Sequence, residues 1–286
     1  MHYFTHYGDN LIGNLILGAH MGQQASERQY RAVNREHYPE IARKINTLPD
    51  HLGSSVAGEQ PKFTIFNGQE HLIIKYSPQI QEDNPVATRH PDLMVCEHLA
   101  LESLRAHGIV ASESVLYIDD RFYLEMRRFD RIGSNGRRGM ASLKSIDAEY
   151  TGKNQDWPEI AKALLDEKLI SQDDFFIVET TYAFGRYIAN TDMHNGNFSF
   201  FIEDLSLAGV TPIYDMLPMA YMPVQGELRN PNIEAPRFIN VSREANQKAR
   251  DMAVVFWNRV VEHSQISEHL KSVTKRFHDS LIKTTK

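Results

Sequence analysis

YIANTDMHNGNFSFF, residues 187–201, sets Asn190, Asp192, His194, Asn195 and Asn197 between two apolar runs. Buried carboxylates and amides cost free energy unless each finds a partner, so the cluster is poor core material. It reads as a polar turn, a metal site, or the catalytic loop of a phosphotransferase. The choice decides the fold, because a catalytic loop of that kind sits between a helix and a strand where two lobes meet.

Protein kinases use H-R-D-x-x-x-x-N, in which the Asp orients the acceptor hydroxyl and the Asn holds a metal ion. Asp192 precedes Asn197 by that same interval. The loop follows an apolar helical pattern, DDFFIVETTYAFGRYIAN, and leads into a strand-like run, NFSFFIED. A second metal-binding carboxylate should come from a neighbouring strand end, and Asp215 in PIYDML fits, with no obvious partner beside it. Mg²⁺ takes hard oxygen ligands and keeps several waters, so one carboxylate, one amide and nucleotide phosphates suffice. Spacing alone favours a polar turn; Asp215 and the upstream features reverse that balance. His194 follows Asp192 closely, but no HExxH, nearby second His or Cys accompanies it. A histidine that hydrogen-bonds to shape the loop, with Asn190, is the better reading.

Upstream, GSSVAGEQPKF (53–63) places glycines and serines before a strand, a composition suited to covering phosphates. Glu59 stands where a P-loop needs Lys, which argues against a Walker-type NTPase. KFTIF (62–66) and HLIIKYS (71–77), joined by NGQ, predict a hairpin. Lys75 shares a strand face with Ile73. It is either a snorkelling edge residue or a point charge for nucleotide phosphates, fixed by Glu97 or, failing that, Glu102 from the next helix. PDLMVCEHLALESLRAHGI (91–109) carries the start and stop signals of that helix. SVLYI and FYLEMRRF then predict two strands around DDR. After residue 140 the pattern turns helical, with strands at NFSFFIED and VTPIYDML around LSLAG. Ser242 caps an apolar-striped helix, and a last helix starts at Ser267. The loop 223–236, placed after Asp215, is a candidate for acceptor selection.

The expected architecture is α+β: a bilobal kinase-like fold with a β-rich lobe over residues 1–130 and a mainly helical lobe over 131–286. With 286 residues the chain is long enough for both. A net charge of −6 argues against a protein that grips nucleic acid directly. The single cysteine, Cys96, excludes an intramolecular disulfide and a cysteine metal cage. No leader pattern and no membrane-length apolar run is visible, so a cytoplasmic protein with no membrane partner is expected.

SSVAGEQPKF, HLIIK, RRFDR (127–131) and NTDMHNGNFSF followed by YDMLP (214–218) resemble the HipA family of serine/threonine kinases, toxins of bacterial toxin–antitoxin modules. The chain is similar to a short form lacking most of the amino-terminal subdomain of longer members. The resemblance implies ATP and Mg²⁺ as cofactors, with Asp192 catalytic and Asn197 and Asp215 on metal. It implies that Lys75, fixed by Glu97, contacts phosphates and that Ser55, Val56, Ala57 and Gly58 cover the nucleotide. Arg127 to Phe129 would lie beside adenine. Ser55, or Ser54 next to it, would be autophosphorylated. The implied partners are a protein substrate, such as an aminoacyl-tRNA synthetase, and a helix-turn-helix antitoxin. A small-molecule phosphotransferase and a non-catalytic nucleotide-binding partner of a DNA-binding antitoxin remain open as alternatives.

Overall fold

β1 (Lys62–Phe66), which alternates exposed and buried, pairs with the almost wholly buried β2 (His71–Tyr76) as a hairpin in which Lys62 faces Lys75 and Phe66 faces His71. Asn67 closes the turn, its Oδ1 accepting from the amides of Gln69 and Glu70, at 2.9 and 2.8 Å. The computed structural model describes residues 11–46, 60–80 and 84–283. The predicted phosphate-loop residues Ser54, Ser55, Val56, Ala57 and Gly58 therefore lie outside the described residues.

β3 (Ser114–Ile118) and β4 (Phe122–Arg127) complete an antiparallel sheet of order β1-β2-β4-β3. Strand period separates its two faces. Leu72, Ile74, Tyr76 and Tyr123 join Phe63, Ile65, Tyr38 and Ala42 in one apolar cluster. Tyr38 and Ala42 belong to α2 (Tyr38–Asn46), which follows α1 (Ala19–Glu27); neither helix was read from the sequence. The opposite face, with Ile73, Leu124 and Met126, packs on the main core beneath α3 (Pro85–Ala106). α3 starts earlier than the predicted Pro91. Asn84 caps it, accepting from the amides of Val86 and Ala87, and Pro85 takes the first turn, leaving Pro91 inside the helix. The buried run from Leu93 to Cys96, continued by Leu99 to Leu101 and Leu104, packs on several sides at once and so has little amphipathic pattern to read.

A short hairpin, β5 (Arg131–Ile132) and β6 (Gly136–Arg137), leads to β7 (Gly139–Ser142). β7 pairs with β8 (Ser199–Glu203), and β8 with β9 (Ser206–Val210). The second strand predicted at VTPIYDML is thus displaced: β9 occupies the residues read as the connection. The chain reverses at Asp204 and Leu205, whose φ values of 47° and 62° are both left-handed. Such a turn normally advertises itself with Asn-Gly, and this one does not. Ile213 instead forms an isolated parallel bridge to Ala111, which ties the segment before Asp215 to the chain leaving α3.

The helical lobe comprises α4 (Leu143–Ile146, continued by a π-turn), α5 (Trp157–Asp166), α6 (Gln172–Tyr187), α7 (Arg243–Glu262) and α8 (Glu268–Lys283). Ser171 and Asp174 form a capping box on α6. Ser242 and Ser267 cap α7 and α8, their hydroxyls accepting from Ala245 and Leu270. α6 ends in a Schellman motif: Ala189 adopts φ 59°, its amide donates to Arg186 O (3.3 Å) and that of Asn190 to Gly185 O (2.9 Å). Trp257, buried on α7, donates to Tyr187 O at 3.0 Å and holds this end of α6 in place. The polar loop begins at that fixed point. No helix of the described residues is long and apolar enough to cross a membrane.

Candidate active site

β2 and α3 each deliver one charge to the cleft. The Lys75 ammonium lies 2.7 and 2.9 Å from the two carboxylate oxygens of Glu97 and also donates to Asp215. Glu97 is fully buried and Lys75 nearly so, whereas the Asp215 side chain is 35% exposed. Glu102, the sequence's second choice, faces His98 and Arg259 instead. Burial alone would pull the Lys75 pKa down, but the carboxylates of Asp215 and Glu97 outweigh it and hold the ammonium charged. Burial pushes Glu97 up, more than Lys75 pulls it down, and the charge of Asp215 adds to the rise. Asp215 also feels burial, but Lys75 prevails and its pKa is lowered. One buried cation thus serves two carboxylates of unequal solvation.

Asp215, with no obvious partner beside it in the sequence, finds one in the remote Lys75. Its backbone is left-handed, with φ 50°, a conformation Asp tolerates better than most residues. The preceding Tyr214 hydroxyl hydrogen-bonds Ser199 Oγ (2.7 Å) and donates to Gly196 O (3.1 Å), joining this segment to the polar loop. Tyr214 was not singled out in the sequence, although it stands inside the quoted YDMLP.

Within the loop, buried Asn190 accepts from the Asp192 amide at 3.0 Å, and its Nδ2 points at Met216 Sδ (3.6 Å). Asn197 Nδ2 donates to Asp192 O at 2.9 Å. His194 Nδ1 accepts from the Gly196 amide at 3.0 Å, so the proton of the neutral ring sits on Nε2, 4.0 Å from Asp192 Oδ1. Trp157 Nε1 donates to His194 O, and the Lys144 amide to Asn195 O. Asn190 and His194 thus bond within the loop as expected, the contacts from Trp157 and Lys144 were not legible in the sequence, and together they leave the Asp192 carboxylate half exposed. It lines a groove of about 540 Å³ whose walls include Arg186, Ile233, Pro236 and Phe277. Asn190→Ala is expected to cost about 1–2 kcal/mol, because the Asp192 amide loses its acceptor. Thermal melting should read this as a drop of roughly 2–8 °C.

A match to the HipA-like C-terminal domain covers residues 54–281. The chain belongs to that family. Toxin YjjJ of Escherichia coli (strain K12) is 34% identical over 252 residues, 86% of this chain and 56% of YjjJ. The chain therefore spans about half the length of this curated relative. Among solved structures, HipA from the Shewanella oneidensis MR-1 toxin–antitoxin complex with HipB and operator DNA superposes with a TM-score of 0.60. Identity there is 16%, with 98% of this chain and 76% of that one covered, so the likeness speaks for the fold. The Helicobacter pylori proinflammatory kinase CtkA gives a TM-score of 0.48 at 13% identity, covering 83% of this chain and 95% of its own.

In this HipA-like chain the RRFDR segment divides its labour. Arg127 is exposed and pairs with Glu70 (3.0 Å) and, more loosely, Glu113 (3.9 Å). The Phe129 ring lies against Phe201 and Tyr214, with centroids 6.1 and 5.9 Å away, on the wall that carries Asp215. Arg128, Asp130 and Arg131 form a buried network that also grips the amino-terminal segment. Asp130 accepts from the Gly13 amide, and Arg131 donates to Gly13 O and Leu11 O. Burial and the neighbouring Arg128 push the Arg131 pKa down to about 10. Among the described residues no three His, Cys, Asp or Glu side chains gather as a metal site. The hard-oxygen groups that could hold a cation are the Asn197 amide oxygen, whose Nδ2 is committed to the Asp192 carbonyl, and the second carboxylate oxygen of Asp215. Such a pair suits a hard cation that shares its remaining positions with phosphates and water.

Proposed function

We propose that this HipA-like chain is an ATP-dependent serine/threonine protein kinase of the toxin type, transferring the γ-phosphoryl group of ATP to a hydroxyl on a protein. The observation that carries the reading is the buried Lys75–Glu97 pair, which touches Asp215 across the cleft. A lysine held by a helix glutamate is the arrangement a kinase uses to fix nucleotide phosphates. The names of Toxin YjjJ and of the HipA structure support the toxin assignment.

Lys75 supplies a fixed positive charge to the phosphate oxygens, and Glu97 keeps its ammonium aimed. Asp192 orients the acceptor hydroxyl and accepts its proton as the oxygen attacks in line. Asn190 and His194 hold the loop so that the carboxylate faces the groove. Asn197 and Asp215 hold Mg²⁺, which when bound offsets the charge that develops on the phosphates. Phe129 and the main chain beside it give adenine an apolar wall, while Arg127, turned to solvent, contributes through its backbone. Val56, Ala57 and Gly58 cover the phosphates, and Ser55 or Ser54 accepts a phosphoryl group from the enzyme itself. An aminoacyl-tRNA synthetase is a candidate substrate, and a helix-turn-helix antitoxin a candidate partner, as HipA and HipB occur together on operator DNA. The groove wall at 233–236 makes that loop the candidate acceptor-selecting segment. Most of the acceleration comes from positioning and fixed charge.

Intact-mass spectrometry after incubation with ATP and Mg²⁺ tests the proposal. A gain of about 80 Da, one phosphoryl group, is expected on Ser54 or Ser55 and not in Asp192→Ala. No gain in protein that starts unphosphorylated, together with no transfer to any protein acceptor, overturns it.

A further inference from the structure

Arg89 is buried on α3, upstream of Glu97, and was not singled out in the sequence. Its guanidinium donates to Tyr221 O (3.0 Å), Arg229 O (3.2 Å) and Asn230 Oδ1 (3.2 Å). It also donates to His269 Nδ1, at 3.1 Å. Asp92, one turn further on, accepts from the amide and hydroxyl of Ser267 at 2.7 and 2.5 Å. Arg89 thus fastens the start of α3 to the main chain that follows Asp215.

The two ends of this fastening are the two carriers of Lys75's charge partners. Glu97 lies about 12 Å along α3 from Arg89 at 1.5 Å per residue. Asp215 lies a short, mostly buried stretch before Tyr221, in which Met216, Leu217 and Pro218 pack away from solvent. The contacts close a ring: Lys75 to Asp215, along the chain to Tyr221, across to Arg89, along α3 to Glu97, and back to Lys75. We infer that Arg89 is a positioning residue that sets α3 against the Asp215 segment, so that Glu97 and Asp215 meet Lys75 together. The inference rests on the kinase reading of Lys75.

A planar, five-donor guanidinium is the side chain suited to this task. It satisfies several main-chain and side-chain acceptors on separate segments at fixed angles, which an ammonium cannot reproduce. None of its acceptors belongs to the nucleotide cleft, so its influence runs through α3 and the segment after Asp215.

The test is a double-mutant cycle on self-phosphorylation, with Arg89→Gln and Glu97→Gln, and Arg89→Lys as the charge-keeping variant. Arg89→Gln is expected to lower kcat on the order of 10²-fold, as small misplacements of a reacting constellation do. KM for ATP should shift far less, and Arg89→Lys should restore little. In the Glu97→Gln background the same change should cost less than about threefold, because both act through one pair. Equal losses in both backgrounds, or no loss from Arg89→Gln in folded protein, overturn the inference. Amide hydrogen exchange supplies a readout free of catalysis: Arg89→Lys should lower protection in Pro85–Ala106 and in residues 219–230 together, leaving α5 and α6 unchanged. Wild-type protein that transfers no phosphoryl group sinks the kinase reading. Exchange then decides alone, joint loss of protection upholding the lock and independent behaviour overturning it.

Discussion

Lys75→Met is expected to remove about 3–5 kcal/mol of stability near neutral pH and to abolish phosphoryl transfer. The size follows from what is left behind. Glu97 has no exposed surface, and without Lys75 it faces Asp215 with only the weaker pull of Lys62. An orphaned buried carboxylate costs more than the lost pair contributed. For a chain of this length the melting temperature should fall by roughly 6–20 °C. The effect has a pH signature. A carboxyl whose folded pKa is raised, as burial raises that of Glu97, stabilises the fold at low pH and loses that contribution as pH rises through the folded value. Removing Lys75 raises it further, so the variant's deficit grows with pH. Asp215 acts in the same sense: its lowered pKa gives the wild type stability above the ordinary carboxylate range, lost as pH falls, and the variant forgoes it. Its share is smaller, because a third of the side chain meets solvent. Melting of both proteins at about pH 5 and about pH 8 should therefore show a wider gap at the higher pH. An equal gap would mean that neither carboxylate carries the effect.

The sequence reading succeeded where local chemistry and tertiary demand agree. The β1–β2 hairpin has two short apolar, β-branched runs and a turn residue, Asn67, whose side chain closes it; Ser242 and Ser267 are caps that look like caps. Asp192 and Asn197, whose spacing drew attention in the sequence, share one short loop in which the Asn197 side chain donates to the Asp192 carbonyl. Failures fall where distant contacts impose the backbone. Ala189 ends α6 in a left-handed conformation normally given to glycine, held there by the Schellman bonds and by Trp257 from α7. Asp204 and Leu205 make a left-handed turn with no glycine, which shifted the predicted strand. Asp215 takes its place from the Ala111–Ile213 bridge and Lys75, both remote in sequence. Arg89 carried no local sign of importance, since its acceptors, two main-chain carbonyls and the side chains of Asn230 and His269, all lie more than a hundred residues away in sequence.

Asp192→Asn should separate chemistry from folding where Lys75→Met cannot. The loop is held by groups other than the Asp192 carboxylate: its amide by Asn190, its carbonyl by Asn197, and the flanking main chain by Trp157 and Lys144. The carboxylate itself is half exposed and reaches His194 only at 4.0 Å. An amide of the same shape keeps every one of the main-chain contacts, and a change at such a surface site stays within about 0.5 kcal/mol. It cannot accept a proton from the attacking hydroxyl. Phosphoryl transfer is expected to fall by about 10²–10⁴-fold, the contribution of a positioned general base, while melting and nucleotide affinity hold. Single-turnover transfer from ATP, measured beside thermal melting, reads both. Near-normal transfer in the variant would remove Asp192 from proton transfer and leave the fixed charges around Lys75 as the whole of the catalysis. Loss of transfer with an unchanged melt would instead make that solvent-facing carboxylate necessary to the chemistry, on a loop whose shape the rest of the fold maintains without it.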